Sequence, residues 1–176
     1  MEKFAFIIHP LSIHDMAHVS PVLKFIPDSW LESALKLKKP FQVSHITGIK
    51  SPYAEAEGWF IGCPLTSKQM VELPEEFVMD RIIESGKIAQ ELGAKVVGLG
   101  AFTSIVGDAG ITVAKNLDIA VTSGNSYTVA TALEGTREAV RLMGKDLATA
   151  HVTIVGASGS IGAACTRILA RGAKDI

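Results

Sequence analysis

The stretch 151–162, HVTIVGASGSIG, constrains this chain more than any other. The apolar run 152–155 predicts a buried parallel strand, and 163–169 predicts a helix. Between them stand glycines at 156, 159 and 162. Strand, glycine-rich turn and helix in that order give a glycine motif its meaning. The first glycine permits a sharp turn, the second lets a pyrophosphate approach the backbone, and the third lets the helix pack close to the strand. The N–H groups that open the helix then face the phosphates. The spacing is G-x-x-G-x-x-G and departs from the usual G-x-G-x-x-G, so the strand–turn–helix context carries the reading. Gly156, Ser158, Gly159, Ser160, Ile161 and Gly162 are the candidate cofactor-binding residues. The plainer alternative is a tight turn whose glycines serve packing alone.

A dinucleotide fold needs a second strand about 20 residues past the glycines, ending in a residue that holds the ribose. Residues 174–176 stand where that strand would begin. The expected organisation is α/β: a substrate-side α/β domain over 1–145, then the first β-loop-α of a Rossmann-type nucleotide domain over 146–176. On that expectation the chain alone binds a dinucleotide weakly, at about −4 kcal/mol. The open edge of the 152–155 strand would then favour a homo-oligomer.

With 48% hydrophobic and 20% charged residues the 176-residue chain has the composition of a globular protein with a real core. A net charge of −1 gives no basic field for nucleic acid or an anionic membrane. Cys63 and Cys165 are too few and too far apart for a disulfide framework or a zinc site. No apolar run reaches the roughly 18 residues of a membrane span. The apolar stretch at the N-terminus is too short for a signal peptide, so a cytoplasmic protein is expected.

Along the chain, 4–8 predicts a first strand closed by His9-Pro10. Ser12 caps a helix over 13–19, bounded by Pro21, and Asp28 or Ser29 caps a helix over 30–38. The partial alternation of 41–49 suggests a half-buried strand. In 58–65, GWFIGCPL, Gly62 and Pro64 demote a further strand to an edge or bulge. Pro74-Glu75-Glu76 opens a helix whose apolar face is Val78, Ile82, Ser85, Ala89 and Leu92, ended by Gly93. Strands follow at 96–99 and 118–121, then a long helix over 127–143 stopped by Gly144. Three times a short apolar strand runs into a loop of Gly, Ser, Thr and Asn: VVGLGAFTS, IAVTSGNS and VTIVGASGS. In an open α/β sheet such loops lie at the carboxyl ends of strands, where ligands bind.

The loop at 100–104 offers the hydroxyls of Thr103 and Ser104 for a carbonyl or carboxylate, or is a polar turn that satisfies its own backbone. The loop at 122–128 offers Ser123, Asn125, Ser126 and Thr128, with Asn125 or Ser126 capping the next helix. Ser104 and Asn125 are the candidate catalytic residues, and all six are candidate substrate-binding residues. His14 and His18 sit one helical turn apart without a third ligand, so they read as a surface pair and no metal is expected. Cys63 and Cys165 read as buried, inert thiols.

Three ordered blocks carry a family resemblance: GLGAFTSI at 98–105, TSGNSYT at 122–128, and Asp146-Leu147 leading into VTIVGASGSIG at 152–162. Phe41-Gln-Val43 with Thr47-Gly48 adds weaker support. Together the blocks resemble the long-chain acyl-(acyl-carrier-protein) reductases and their bacterial relatives labelled amino-acid or shikimate-type dehydrogenases. The resemblance implies a two-domain enzyme that uses NADP, with NAD as the other choice. It implies reduction of a fatty acyl thioester, on acyl carrier protein or coenzyme A, to an aldehyde. A cysteine forms an enzyme thioester in that family. Neither Cys63 nor Cys165 matches it, and the nucleophile is expected beyond residue 176, leaving this chain inactive alone. Two rivals remain: an amino-acid or hydroxy-acid dehydrogenase using direct hydride transfer, and a non-enzymatic α/β binding module.

Overall fold

The computed structural model describes residues 1–15 and 25–176. It is α/β and divides into two compact units, Met1–Ser123 and Gly124–Ile176. The division falls ahead of the long helix expected to end the first domain, so that helix belongs to the second unit.

The first unit is built on five strands: β1 (Glu2–Ile8), β2 (Phe41–Lys50), β3 (Glu55–Gly62), β4 (Val96–Leu99) and β5 (Ala120–Thr122). Their order is β2-β3-β1-β4-β5. β1 pairs in parallel with β3 and β4, β4 pairs in parallel with β5, and β2 runs antiparallel to β3. The chain leaves central β1 toward one side of the sheet and later adds β4 and β5 on the other. The point where strand order reverses lies at the carboxyl end of β1, the usual place for a ligand.

Helices α1 (Asp28–Leu37), α2 (Ser67–Glu72), α3 (Glu75–Glu91) and α4 (Ile111–Lys115) complete the unit. Helix α3 has the expected face. Val78, Ile82, Ser85 and Ala89 are buried and pack with Ala5, Ile7, Ile61, Val97 and Leu99 of the sheet. Alternation along β1 selects Ala5 and Ile7 for that core. Gly93, at φ +86°, ends the helical run as its sequence position predicts.

Several local expectations are corrected. β3, expected as an edge or a bulge, is an inner strand whose ladder with β2 is interrupted by register shifts. Its glycines make room for neighbours: a Cβ on Gly58 would lie 2.7 Å from the carbonyl oxygen of Phe4 and against its ring. Pro64 lies past the strand end, where no ladder hydrogen bond is demanded of it. β2 is the edge strand and is exposed along nearly its whole length rather than half-buried. It is held through His45, which stacks on Trp59 at 5.2 Å and lies 3.3 Å from Glu57. A hydrogen bond from Lys3 holds the Glu57 carboxyl below the usual carboxylate range. Helix α1 starts at Asp28 with Pro27 at its cap, and neither Asp28 nor Ser29 caps it. Ile13–Asp15 is a single 3₁₀ turn, closed by the Ser12 N–H donating to the Asp15 carboxylate at 2.8 Å. The rest of the helix expected over 13–19, with His18 and Pro21, lies outside the described residues.

The second unit consists of helices α5 (Asn125–Leu142) and α6 (Ser160–Leu169), packed through Leu133, Cys165 and Leu169. The run 152–155 is not a strand. Its one bridge pairs His151 with Asp175 in parallel, with hydrogen bonds from Val152 N to Asp175 O and from Lys174 N to Ala150 O. A ladder needs partners at successive residues, and these two bonds are the partners present. Val155 is 97% exposed. Cys165 packs on helix α5, not on a sheet.

The contact at Gly58 is with rigid backbone, so Gly58→Ala should destabilise the first unit by about 1–3 kcal/mol through overpacking. Urea unfolding followed by the fluorescence of buried Trp59 checks this.

Candidate functional site

In the first unit, the carboxyl ends of β1, β3 and β4 carry the polar and reactive side chains. The Gly100 N–H donates to the Ile7 carbonyl at 3.1 Å. A Cβ on Gly100 would lie 2.5 Å from that same oxygen, which is why the chain has glycine there. The next residue, Ala101, is forced to φ +46°, a left-handed conformation disfavoured for alanine. A 3₁₀ turn at Ala101–Ser104 follows. The buried Thr103 hydroxyl donates to the Gly100 carbonyl at 2.7 Å, and the Ser104 hydroxyl donates to the Ala101 carbonyl at 2.7 Å. Both hydroxyls are spent on their own turn.

The residue that pins this turn is His9, which the sequence showed only as part of a closing His-Pro turn. Its Nδ1 lies 3.0 Å from the Pro10 carbonyl, which can only accept, so Nδ1 carries the proton. Its Nε2 accepts from the Phe102 N–H at 3.2 Å, so Nε2 is bare. The ring also meets Phe102 edge-on, with centroids 6.1 Å apart. Two hydrogen bonds thus specify one neutral tautomer. Burial pushes the His9 pKa below its ordinary value, opposed by the Pro10 hydrogen bond. A histidine at the end of a central strand was the signal available in the sequence.

Beside His9 lies a cleft of about 320 Å³ between the ends of β1 and β3. Its lining is chiefly apolar, with Ile8, Leu35, Phe41 and Val43, and it includes Lys38 and Cys63. Cys63 is fully buried, and burial pushes its thiol up to about 12. A thiol so raised is protonated at neutral pH and is not a nucleophile. The expectation of an inert cysteine fits this placement.

The second unit holds the glycine turn. Gly156 is at φ +79°, and the Gly159 N–H donates to the Gly156 carbonyl at 3.0 Å. A Cβ on Gly162 would overlap the Gly156 carbonyl outright. The first turn of α6 therefore lies directly against the loop at 156–157, and not against a strand. Helix α6 begins at Ser160, three residues ahead of the sequence expectation, with Gly159 at its cap and no side-chain cap. Ser158, Ser160 and the glycines 156 and 159 are exposed, while Ile161 and Gly162 are half-buried.

Helix α5 corrects the expected cap. Gly124, at φ +74°, takes the cap position, and neither Asn125 nor Ser126 caps the helix. The Asn125 side-chain amide donates instead to the Ser160 hydroxyl at 3.0 Å. The Thr128 hydroxyl donates to the Gly124 carbonyl at 3.1 Å, Ser126 is exposed, and Ser123 closes the first unit. The structure thus joins Asn125 to the cofactor-site candidates. Among the described residues no group of three or more His, Cys, Asp or Glu could hold a metal ion. His14 is an exposed residue 3.9 Å from Asp28. No described helix is long and apolar enough to cross a membrane.

No family model matches the chain. It is similar to Aminotransferase PigE of Serratia sp. (strain ATCC 39006), with 29% identity over 179 residues, covering 95% of this chain and 20% of that protein. The chain thus spans about a fifth of the length of the curated relative it matches.

Two predictions follow from these placements. The native His9 binds protons less readily than the unfolded chain does, so its contribution to stability is complete above about pH 6.5 and is lost as pH falls through the folded-state value. Urea unfolding across that window should show stability falling with pH, with a shallower fall in His9→Gln. Cys63 should resist a thiol reagent at pH 8 in the native protein and react once urea is added.

Proposed function

We propose that this chain supplies the pyrophosphate turn and the substrate-side unit of an NADP-dependent oxidoreductase that reduces a fatty acyl thioester to an aldehyde. The observation that carries the reading is the cradle at 156–162. There the backbone of Gly162 lies where no side chain fits, against Gly156 at positive φ. NADPH would supply hydride, and NAD would be held by the same turn. The chain's own part is to present the N–H groups of α6 to the pyrophosphate, flanked by the Ser158 and Ser160 hydroxyls.

The cleft in the first unit supports the substrate class. Its volume, about 320 Å³, and its apolar lining suit an acyl chain. His9 shapes the cleft as a neutral group, so it adds no charge beside a hydrocarbon. Neither cysteine of this chain is placed to take the acyl group: Cys63 is buried with a raised pKa and Cys165 is packed between helices. The acyl thioester, on acyl carrier protein or coenzyme A, is therefore bound here and not attacked from here.

The similarity to an aminotransferase raises amino transfer as a second reading. That chemistry relies on pyridoxal phosphate held through a lysine. Among the described residues no lysine is buried, and Lys3, Lys50, Lys68 and Lys95 are paired with glutamates. The described residues do not fit that cofactor. The similarity also leaves four fifths of the relative uncovered.

An amide-resolved NMR titration tests the proposal. NADPH at millimolar concentration should shift the amides of 156–162, and Gly162→Ala should abolish those shifts. A medium-chain acyl pantetheine should shift His9, Val43 and Cys63, whereas a small hydroxy acid should not. An unmoved glycine turn would sink the cofactor reading, and an unmoved cleft would sink the acyl substrate.

A further inference from the structure

Asn125 is the first residue of α5, one position past the cap. Here Gly124 takes the cap position without a side chain. The Asn125 amide, half-buried, reaches across 35 positions of sequence to give a hydrogen to the Ser160 Oγ at 3.0 Å. Ser160 is the first residue of α6 and belongs to the glycine cradle. A serine hydroxyl has two lone pairs and a single proton. With one lone pair taken by Asn125, the proton points away from that amide, on a hydroxyl that is exposed. No described residue receives it, and the Gly159-capped start of α6 has no side-chain acceptor of its own.

We propose that Asn125 is a positioning residue for the cofactor's pyrophosphate: by donating to Ser160 it fixes that hydroxyl as a donor toward a phosphate oxygen. The inference rests on the cofactor reading above. The loops at 122–128 and 156–162 then meet at one hydroxyl, one supplying the orienting amide and the other the cradle.

The choice of substitution separates positioning from simple attachment. In Asn125→Asp the tie to Ser160 survives with reversed polarity, because a carboxylate accepts the serine proton. That reversal removes the donor and adds a negative charge beside the phosphates. Attachment alone predicts that Asp is tolerated, whereas positioning predicts that Asp is worse than Ala.

The experiment is an NMR titration of the 176-residue chain with NADPH and, separately, inorganic pyrophosphate, with thermal melting of each variant as a check on folding. Asn125→Ala and Ser160→Ala should each weaken binding about tenfold, the loss of one hydrogen bond to a charged group. The double variant should be no weaker than Ser160→Ala alone, because the asparagine acts through the serine. Asn125→Asp should bind most weakly while melting within a few degrees of the wild type. Wild-type-like binding by Asn125→Asp, or additive losses in the double variant, would overturn the positioning role and leave the cofactor reading in place. A wild-type turn unmoved by both probes would overturn the cofactor reading and this inference with it.

Discussion

Burial of Ile7, Ile61 and Val97 beneath Val78 and Ile82 of α3 is the interaction on which the first unit depends. Each of these side chains is fully removed from water, worth about 1.5–3 kcal/mol apiece. They come from three parallel strands, so burying them sets the strands' relative register and brings their carboxyl ends level. Everything polar at that end then follows from where those three strands stop. His9 continues β1, Cys63 continues β3 and Gly100 continues β4. Cys63 belongs both to that core and to the cleft, so the site's geometry is inherited from the core.

Much of this was legible wherever a single local rule governed. The period of the Val78–Ile82–Ser85–Ala89 face, the left-handed glycine at 93 and the steric demand on Gly162 are all properties of short segments. What escaped the sequence depended on neighbours distant along the chain. β3 was taken for an edge because Gly62 and Pro64 weaken a strand in isolation. In the sheet Gly58 and Gly62 sit under Phe4, Phe41 and Val43, whose side chains fill the space the glycines leave. The run 152–155 is apolar enough for a strand, yet a strand forms only where a second segment offers a ladder, and Asp175 offers a single bridge.

The same distinction runs through the candidate site. The residue types at 100–104, 122–128 and 156–162 announce hydrogen-bonding loops, but type does not say which partner each takes. Thr103 and Ser104 close their own turn, whereas Asn125 donates to Ser160 of another helix. His9 was passed over although it follows the first strand. One histidine beside a proline carries no pattern, and its importance comes from Phe102, 93 positions away.

The electrostatics of the two units point the same way. In the first, burial disfavours the charged forms of His9 and Cys63, so the charged side chains that line the cleft are Lys38 and Asp15. In the second, the exposed turn presents N–H groups and hydroxyls but no acidic or basic side chain between Gly156 and Gly162. Such a surface recognises an anion through dipoles held in place by backbone geometry. The proposed function asks one unit to hold an apolar group and the other a phosphate-bearing group. An oxidoreductase that leaves the chemistry to its cofactor and to a nucleophile elsewhere has use for such holding.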